Sequence, residues 1–294
     1  MSHPVGQKIL VTGSTGDIGR RLVAQLSRDG HPVVAMCRKP EQIADFEQHG
    51  IEAVFGDLEK PASIAKALQA CDRMFLLTVA GRAQQEHGRH GVEAAQAAGI
   101  RHVVHLSTGD ANPNSPIPWA NAPAHTDAVL KQRSGSWTIL RPSAFMQNLV
   151  QSAVPIKKGV FPQTAGRGVL AWIDTEDIAR VAATVLTNEG HEGKEYYLTG
   201  PELLTMSDVA SHLTAVLNYP VRHLHLPGPL FFLALRAGGL DSWTARGLVH
   251  QFIDVVRKGH DFGDLITDTV HVLTGTPARS VREYLVENRA AFAR

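Results

Sequence analysis

The chain has 294 residues, 44% of them hydrophobic and 19% charged, with a formal net charge of +1. That length holds one large α/β domain with an appended region, or two small domains. The near-neutral balance offers no basic footprint for nucleic acid and none for an acidic membrane surface. Cys37 and Cys71, the two cysteines, make neither a disulfide framework nor a cysteine zinc site, and fit a reducing compartment.

Lys8-Ile9-Leu10-Val11 predicts a first strand buried on both faces, as in a parallel sheet. Glycines follow at 13, 16 and 19, and then Ile18, Leu22 and Leu26 recur every four residues along an amphipathic helix. A strand, a glycine turn and a helix form the context of a dinucleotide-binding motif. The glycines let backbone approach a pyrophosphate, and the free N–H groups of the helix N-terminus attract the anion. The candidate phosphate cradle is therefore Gly13-Ser14-Thr15-Gly16-Asp17-Ile18-Gly19.

The second strand, Pro32–Cys37, ends in Arg38-Lys39-Pro40. An acid at that point would select NAD through the ribose 2′-hydroxyl, whereas an arginine can pair with a 2′-phosphate. Arg38 therefore points to NADP(H). A short helix over Glu41–His49 and a third strand over Ala53–Phe55 lead to Gly56-Asp57-Leu58, where Asp57 is also a candidate cap for a helix over Pro61–Leu68. Met74–Thr78 is a fourth strand, and its end, Leu76, Leu77 and Thr78, is expected to open onto the cofactor, because ligands in open parallel sheets lie beyond the carboxyl ends.

Gln84–Ala98 predicts a helix stopped by Gly99, and His102–Leu106 a fifth strand ending in Ser107-Thr108-Gly109. Asp110–Pro123, with its prolines and asparagines, is expected to be a loop or a broken helix start, followed by a helix from about Ala124 to Gln132. Trp137–Pro142 is a sixth strand. Alternation of this kind predicts a Rossmann-like, doubly wound parallel sheet. The expected division is an NADP-binding part over 1–150 and a smaller mixed, mainly helical substrate-binding region over 151–294, with 171–190 packing back on the first part. In the second part, helices are expected from about Thr175 and from Thr205-Met206-Ser207-Asp208, and strands at Glu195–Thr199 and Val221–Leu226. The most apolar run, Leu230–Leu235, is far shorter than the ~20 residues of a membrane span. With Met1–Gln7 too short and polar for a signal peptide, the expected setting is the cytoplasm, as a monomer or homodimer.

The turn Thr12–Gly19, Cys37-Arg38-Lys39-Pro40, Gly56-Asp57-Leu58, the run Ser134–Asn148, Thr199-Gly200-Pro201-Glu202 and Leu273–Pro277 together resemble the NmrA-like, atypical branch of the short-chain dehydrogenase/reductase superfamily. The resemblance implies a Rossmann-like fold and NADPH-dependent reduction of quinones, azo compounds or dyes, or dinucleotide binding by a regulator. It places Asp57 and Leu58 beside the adenine; Ser107 after the fifth strand, and Pro142 and Phe145 at the end of the sixth, complete the candidate cofactor site. The usual Tyr-x-x-x-Lys is absent. The tyrosines are Tyr196, Tyr197, Tyr219 and Tyr284, and the motif position falls near Trp119–Pro123, which relay no protons.

Quinones, azo compounds and enones carry the charge left by hydride addition, so orientation against nicotinamide supplies much of the catalysis. The candidate substrate pocket is Trp119, Met146, Gln147 and Asn148, with His125 as the candidate proton donor. Two other readings remain open at this point, a redox sensor that binds NADP(H) and acts through a protein partner, and a non-redox enzyme that recruited the fold. His223-Leu224-His225 lacks a third ligand, so no metal site is expected.

Overall fold

A computed structural model describes residues 7–259 and 265–294. In chain order the elements are β1 (Ile9–Val11), α1 (Asp17–Arg28), β2 (Val33–Cys37), α2 (Pro40–Gln48), β3 (Glu52–Phe55), α3 (Pro61–Ala67), β4 (Arg73–Leu76), α4 (Gln84–Ala97), β5 (His102–Leu106), α5 (Pro118–Gln132) and β6 (Ser136–Pro142). They continue through a 3-10 helix (Met146–Ser152), α6 (Ala153–Lys157), β7 (Val160–Gln163), β8 (Val169–Leu170), α7 (Thr175–Thr187), β9 (Lys194–Leu198), β10 (Leu204–Thr205), α8 (Met206–Leu217) and β11 (Arg222–His225). The chain closes with α9 (Gly228–Ala237), α10 (Ser242–His250), a π-helix (Gln251–Arg257), α11 (Thr269–Thr274), α12 (Val281–Glu287) and α13 (Arg289–Phe292).

The central sheet has seven strands in the order β3-β2-β1-β4-β5-β6-β9. Its pairs from β3 to β6 are parallel, with Leu10 opposite both Val34 and Met74. Helices fill the crossovers, giving the Rossmann-like fold. The strand order leaves β1 in both directions, toward β2 on one side and β4 on the other, so the topological switch point lies beside β1. β1, β2, β4 and β5 are buried along their full lengths, which is why their sequences run apolar without a polar alternation, apart from the buried Arg73 that opens β4 and the buried His102 and His105 of β5.

Two compact units divide the chain. The first contains the residues before Ser115, Pro118–Arg141 and Ile178–Tyr196; the second contains Ser115–Ile117, Pro142–Asp177 and the residues from Tyr197 onward. The first unit's core gathers Leu10, Val34, Met74, Leu76, Val103 and Ile139 under helical residues such as Ile64, Val92 and Leu130. The second unit has its own core around Met146, Phe161, Trp172, Leu213, Tyr284 and Leu285. Reciprocal capping boxes fix helix starts there: Thr205 with Asp208 before α8 and Ser280 with Glu283 before α12. Among the described residues no helix is long and apolar enough to cross a membrane, and no three His, Cys, Asp or Glu side chains gather as a metal site.

One element departs from the sequence reading. Helix α5 starts at Pro118 rather than near Ala124, and Pro123 lies inside it. Pro118 sits in the first turn, where a missing N–H costs nothing. The Asn112 N–H donates to Ala120 O at 3.0 Å and the Asn121 amide donates to Pro113 O, tying the preceding loop to the helix. Ala120, Ala124, Asp127 and Leu130 form a buried face. Tertiary burial thus outweighs the local penalty at Pro123. As a result His125 lies mid-helix, not at a helix start.

Candidate functional site

The turn after β1 is built from three glycines with different tasks. Thr12 is fully buried, and its hydroxyl donates to Leu77 O at 2.9 Å while accepting the Leu77 N–H at 2.8 Å, which ties the ends of β1 and β4 at the switch point. Gly13 adopts φ +62°, and a Cβ there would stand 2.6 Å from Leu77 Cδ2. The Gly16 N–H closes the turn on Gly13 O at 3.0 Å. A Cβ on Gly19 would stand 2.2 Å from that same carbonyl and 2.8 Å from Ser14 Cα, so only glycine lets α1 lie this close to the turn.

Gly16 itself is exposed, and it caps α1 in an extended conformation without any side-chain acceptor. No side chain at the cap position accepts from the first turn of α1. Helix N-termini of this kind attract anions. The buried Ser14 hydroxyl donates to Met36 O at 2.8 Å and ties the turn to β2. Thr15 is half-buried, Ile18 is buried, and Asp17 is exposed and paired with Arg21 at 3.1 Å.

At the end of β2, Arg38 is exposed. Its backbone N–H and that of Lys39 both donate to Gln42 Oε1 at 3.2 Å, which fixes the turn from which the guanidinium projects. Among the described residues that guanidinium takes no partner. At the end of β3, Asp57 Oδ1 accepts the Glu59 N–H at 3.1 Å and the Asp57 N–H donates to Ser63 Oγ at 2.9 Å; the cap of α3 is Lys60, not Asp57. Leu58 is buried and its carbonyl accepts from His90 Nδ1 at 2.7 Å. Leu76 is core, Leu77 is half-buried, and the buried Thr78 hydroxyl accepts from Gln84 Nε2 at 3.3 Å.

At the end of β5 the structure adds a cluster that sequence reasoning missed. The Ser107 hydroxyl donates to Asp127 Oδ2 at 2.8 Å, and His105 Nδ1 donates to Asp127 Oδ1 at 2.9 Å. Arg141 Nη2 lies 3.0 Å from Asp127 Oδ2, and Arg141 Nε lies 2.6 Å from Glu195 Oε2. Lys131 completes the chain, 2.5 Å from Glu195 Oε1. Burial pushes the Asp127 carboxyl up, but the hydrogen bond and charge of His105, then Arg141 and Ser107, outweigh it and hold it below the usual range. Asp127 is thus an ionised acceptor. Ser107's single proton is committed to it, and only lone pairs remain on Oγ. The signal available in the sequence was an aspartate on the buried face of α5, three residues before Leu130.

Met146 is fully buried in the core of the second unit, and so belongs to packing rather than to an open pocket wall. Met146→Ala is expected to cost about 2–5 kcal/mol in a urea melt, the range for emptying a core site. Gln147 has its amide engaged: Nε2 donates to Asp174 Oδ1 at 2.7 Å and Oε1 accepts the Thr175 N–H at 3.2 Å, supporting the start of α7. Phe145 is half-buried and forms an isolated bridge with Ile173. Asn148 is exposed, and Pro142 closes β6. In the first unit Trp119 occupies the first turn of α5 and is half-buried, as is His125.

Residues 13–189 match a family model described as NAD(P)H-binding. The chain is 32% identical to an NAD(P)H azoreductase of Xenophilus azovorans over 97% of this chain and 99% of that one. It is also 32% identical to a (4-alkanoyl-5-oxo-2,5-dihydrofuran-3-yl)methyl phosphate reductase of Streptomyces griseus, over 97% and 99%. Among solved structures it superposes on the NADPH complex of an NADPH-dependent quinone oxidoreductase from Escherichia coli with a TM-score of 0.87 and 29% identity, covering 96% of this chain and 99% of that one. With its glycine turn, uncapped α1 N-terminus and parallel switch point, the chain belongs to the NAD(P)H-binding family, in the NmrA-like branch of the short-chain dehydrogenases/reductases.

Proposed function

We propose that the protein is an NADPH-dependent reductase that passes hydride to a small, planar, electron-poor acceptor such as a quinone, azo compound or enone. The observation that carries this reading is the Ser107–Asp127 hydrogen bond of 2.8 Å. A serine whose proton is held by a carboxylate accepts hydrogen bonds from a bound ligand and donates none. α5, where the superfamily's tyrosine and lysine would stand, holds Trp119 and Pro123 instead. A saturated ketone needs a proton as hydride arrives, whereas a conjugated acceptor spreads the charge and takes its proton from solvent. The acceptors named in the three relatives share that property.

In this reading the amides of Gly16–Gly19 would receive the pyrophosphate, Asp57 and Leu58 would border the adenine, and Arg38 would pair with the 2′-phosphate. Leu77, Thr78 and Ser107 would border the nicotinamide end, and bound NADPH supplies the hydride. Arg38→Asp is expected to weaken NADPH binding by tenfold or more while leaving NADH binding largely intact, as measured by fluorescence titration; equal affinities of the native protein for the two nucleotides would remove Arg38 from that role.

The function is tested by steady-state NADPH oxidation against a panel of quinones, azo dyes, enones and saturated ketones. Turnover of conjugated acceptors is expected, with saturated ketones inert. Ser107→Ala is expected to cost far less than Asn148→Ala, whose loss misplaces the acceptor and costs up to ~100-fold. Turnover of saturated ketones abolished by Ser107→Ala would overturn the proposal, and tight NADPH binding with no turnover at all would favour a sensor.

A further inference from the structure

At the opposite end of the central sheet lies a cavity of about 380 Å3 that the dinucleotide turn does not explain. Its wall includes Arg73, Arg101, His102, Ser136, Glu189 and Glu192. Arg73 opens β4, His102 opens β5 with Arg101 just before it, Ser136 opens β6, and the two glutamates sit in the turn before β9.

Arg73 is buried, with 6% of its surface exposed. Its Nη1 donates to the carbonyls of Leu186 and Asn188 at the end of α7, where a cation suits the helix dipole. Among the described residues its Nε and Nη2 take no partner and no carboxylate pairs with it. Glu192, Glu189 and Asp72 act on it from beyond ion-pair distance, and a buried guanidinium with no carboxylate in contact is uncommon.

His102 is equally buried, 3% exposed. Its Nε2 lies 2.9 Å from Thr138 Oγ1, and that hydroxyl gives its one proton to His191 O at 2.6 Å. Nε2 must therefore be the donor, which leaves Nδ1 as a bare lone pair. No donor meets Nδ1 among the described residues. Burial, then the nearby Arg73 charge, push the imidazole down to about 4, so it stays neutral near pH 7.

The cavity thus presents a buried cation and a buried acceptor nitrogen, while Glu189 and Glu192 are exposed at its edge. Glu192 Oε2 accepts the Gly190 N–H at 3.0 Å, and Arg101 is paired with Asp72 at 3.3 Å. A simple anion would satisfy Arg73 but face two carboxylates and leave Nδ1 without a donor. A simple amine would satisfy the carboxylates and leave Arg73 without an anion in contact. We propose that this cavity binds a small zwitterion of the α-amino acid class, its carboxylate on Arg73 and its ammonium donating to His102 Nδ1 and the edge glutamates. The site is independent of the reductase reading.

Isothermal titration of the full chain with glycine, L-alanine, L-serine and L-glutamine tests it, with acetate, methylamine and inorganic phosphate as controls. Saturable binding of at least one amino acid is expected, with no binding of acetate or methylamine at the same concentrations. The double variant Glu189→Gln/Glu192→Gln changes only exposed side chains, and it is expected to melt like the native protein and bind about tenfold more weakly, the loss of a charge-assisted hydrogen bond. Absence of binding by all four amino acids would overturn the proposal. So would acetate or phosphate binding as tightly as an amino acid, which marks a plain anion site, or undiminished binding by the double variant.

Discussion

Asp127→Ala is expected to destabilise the protein by about 3–5 kcal/mol in urea denaturation, the cost of leaving a buried charge without its partner. Asp127 is 4% exposed and holds three groups at once, Ser107, His105 and Arg141. Truncation removes the acceptor from all three and leaves Arg141 paired with Glu195. Asp127→Asn is expected to lose less, since one oxygen remains, although its amide N–H2 then faces another donor. The contribution also depends on pH. Because the carboxyl is held below its ordinary value in the folded chain, the stabilisation is fully present above the unfolded aspartate's ~3.9 and is lost as pH falls through the lower folded value. The native protein should therefore lose stability below about pH 4 more steeply than Asp127→Ala. Equal acid slopes in the two proteins would show that the cluster does not stabilise the fold.

Gly19→Ala is the second large effect. The added methyl would stand 2.2 Å from Gly13 O and 2.8 Å from Ser14 Cα, both backbone atoms. Backbone cannot yield as a flexible side chain does, so α1 must shift or the turn must open. Either movement displaces the amides proposed to receive the pyrophosphate, and NADPH affinity is expected to fall by ~100-fold or more, with about 1–3 kcal/mol of stability lost to overpacking. Gly16→Ala is the control: its Cβ would meet nothing closer than 3.4 Å and its φ of −78° suits any residue. Its structural cost should be small, so a loss of affinity there reports contact with the nucleotide. Native NADPH affinity in Gly19→Ala would detach the turn from cofactor binding.

The sheet was legible in the sequence because buried parallel strands write themselves as short apolar runs. Ile9–Val11, Val33–Cys37 and Met74–Leu76 each carry that signature. The glycine turn was legible for a similar local reason, since the positive φ of Gly13 and the approach of Gly19 to Gly13 O and Ser14 Cα are set within seven residues, although Leu77 adds a distant constraint on Gly13. What escaped depends on distance along the chain. Asp127 reads as an ordinary helical residue until β5 and β6 bring His105 and Arg141 to it. Met146 and Gln147 sit in a stretch shared with the family and read as pocket residues, yet Trp172 and Leu213 surround one with core and Asp174 and Thr175 occupy the other. Pro123 reads as a break, and only the packing of Ala120, Ala124 and Leu130 explains why α5 passes through it.

The central claim is hydride transfer to a conjugated acceptor without a protein acid, and a single-turnover measurement addresses it most directly. Protein saturated with NADPH is mixed anaerobically with a quinone, and the loss of nicotinamide absorbance is followed with ordinary cofactor and with cofactor deuterated at C4. The expected result is loss of absorbance at a rate that saturates with quinone, slows with the deuterated cofactor and persists in Ser107→Ala and His125→Gln. Bound NADPH whose absorbance stays unchanged with every quinone, or a rate abolished by Ser107→Ala or His125→Gln, would contradict it.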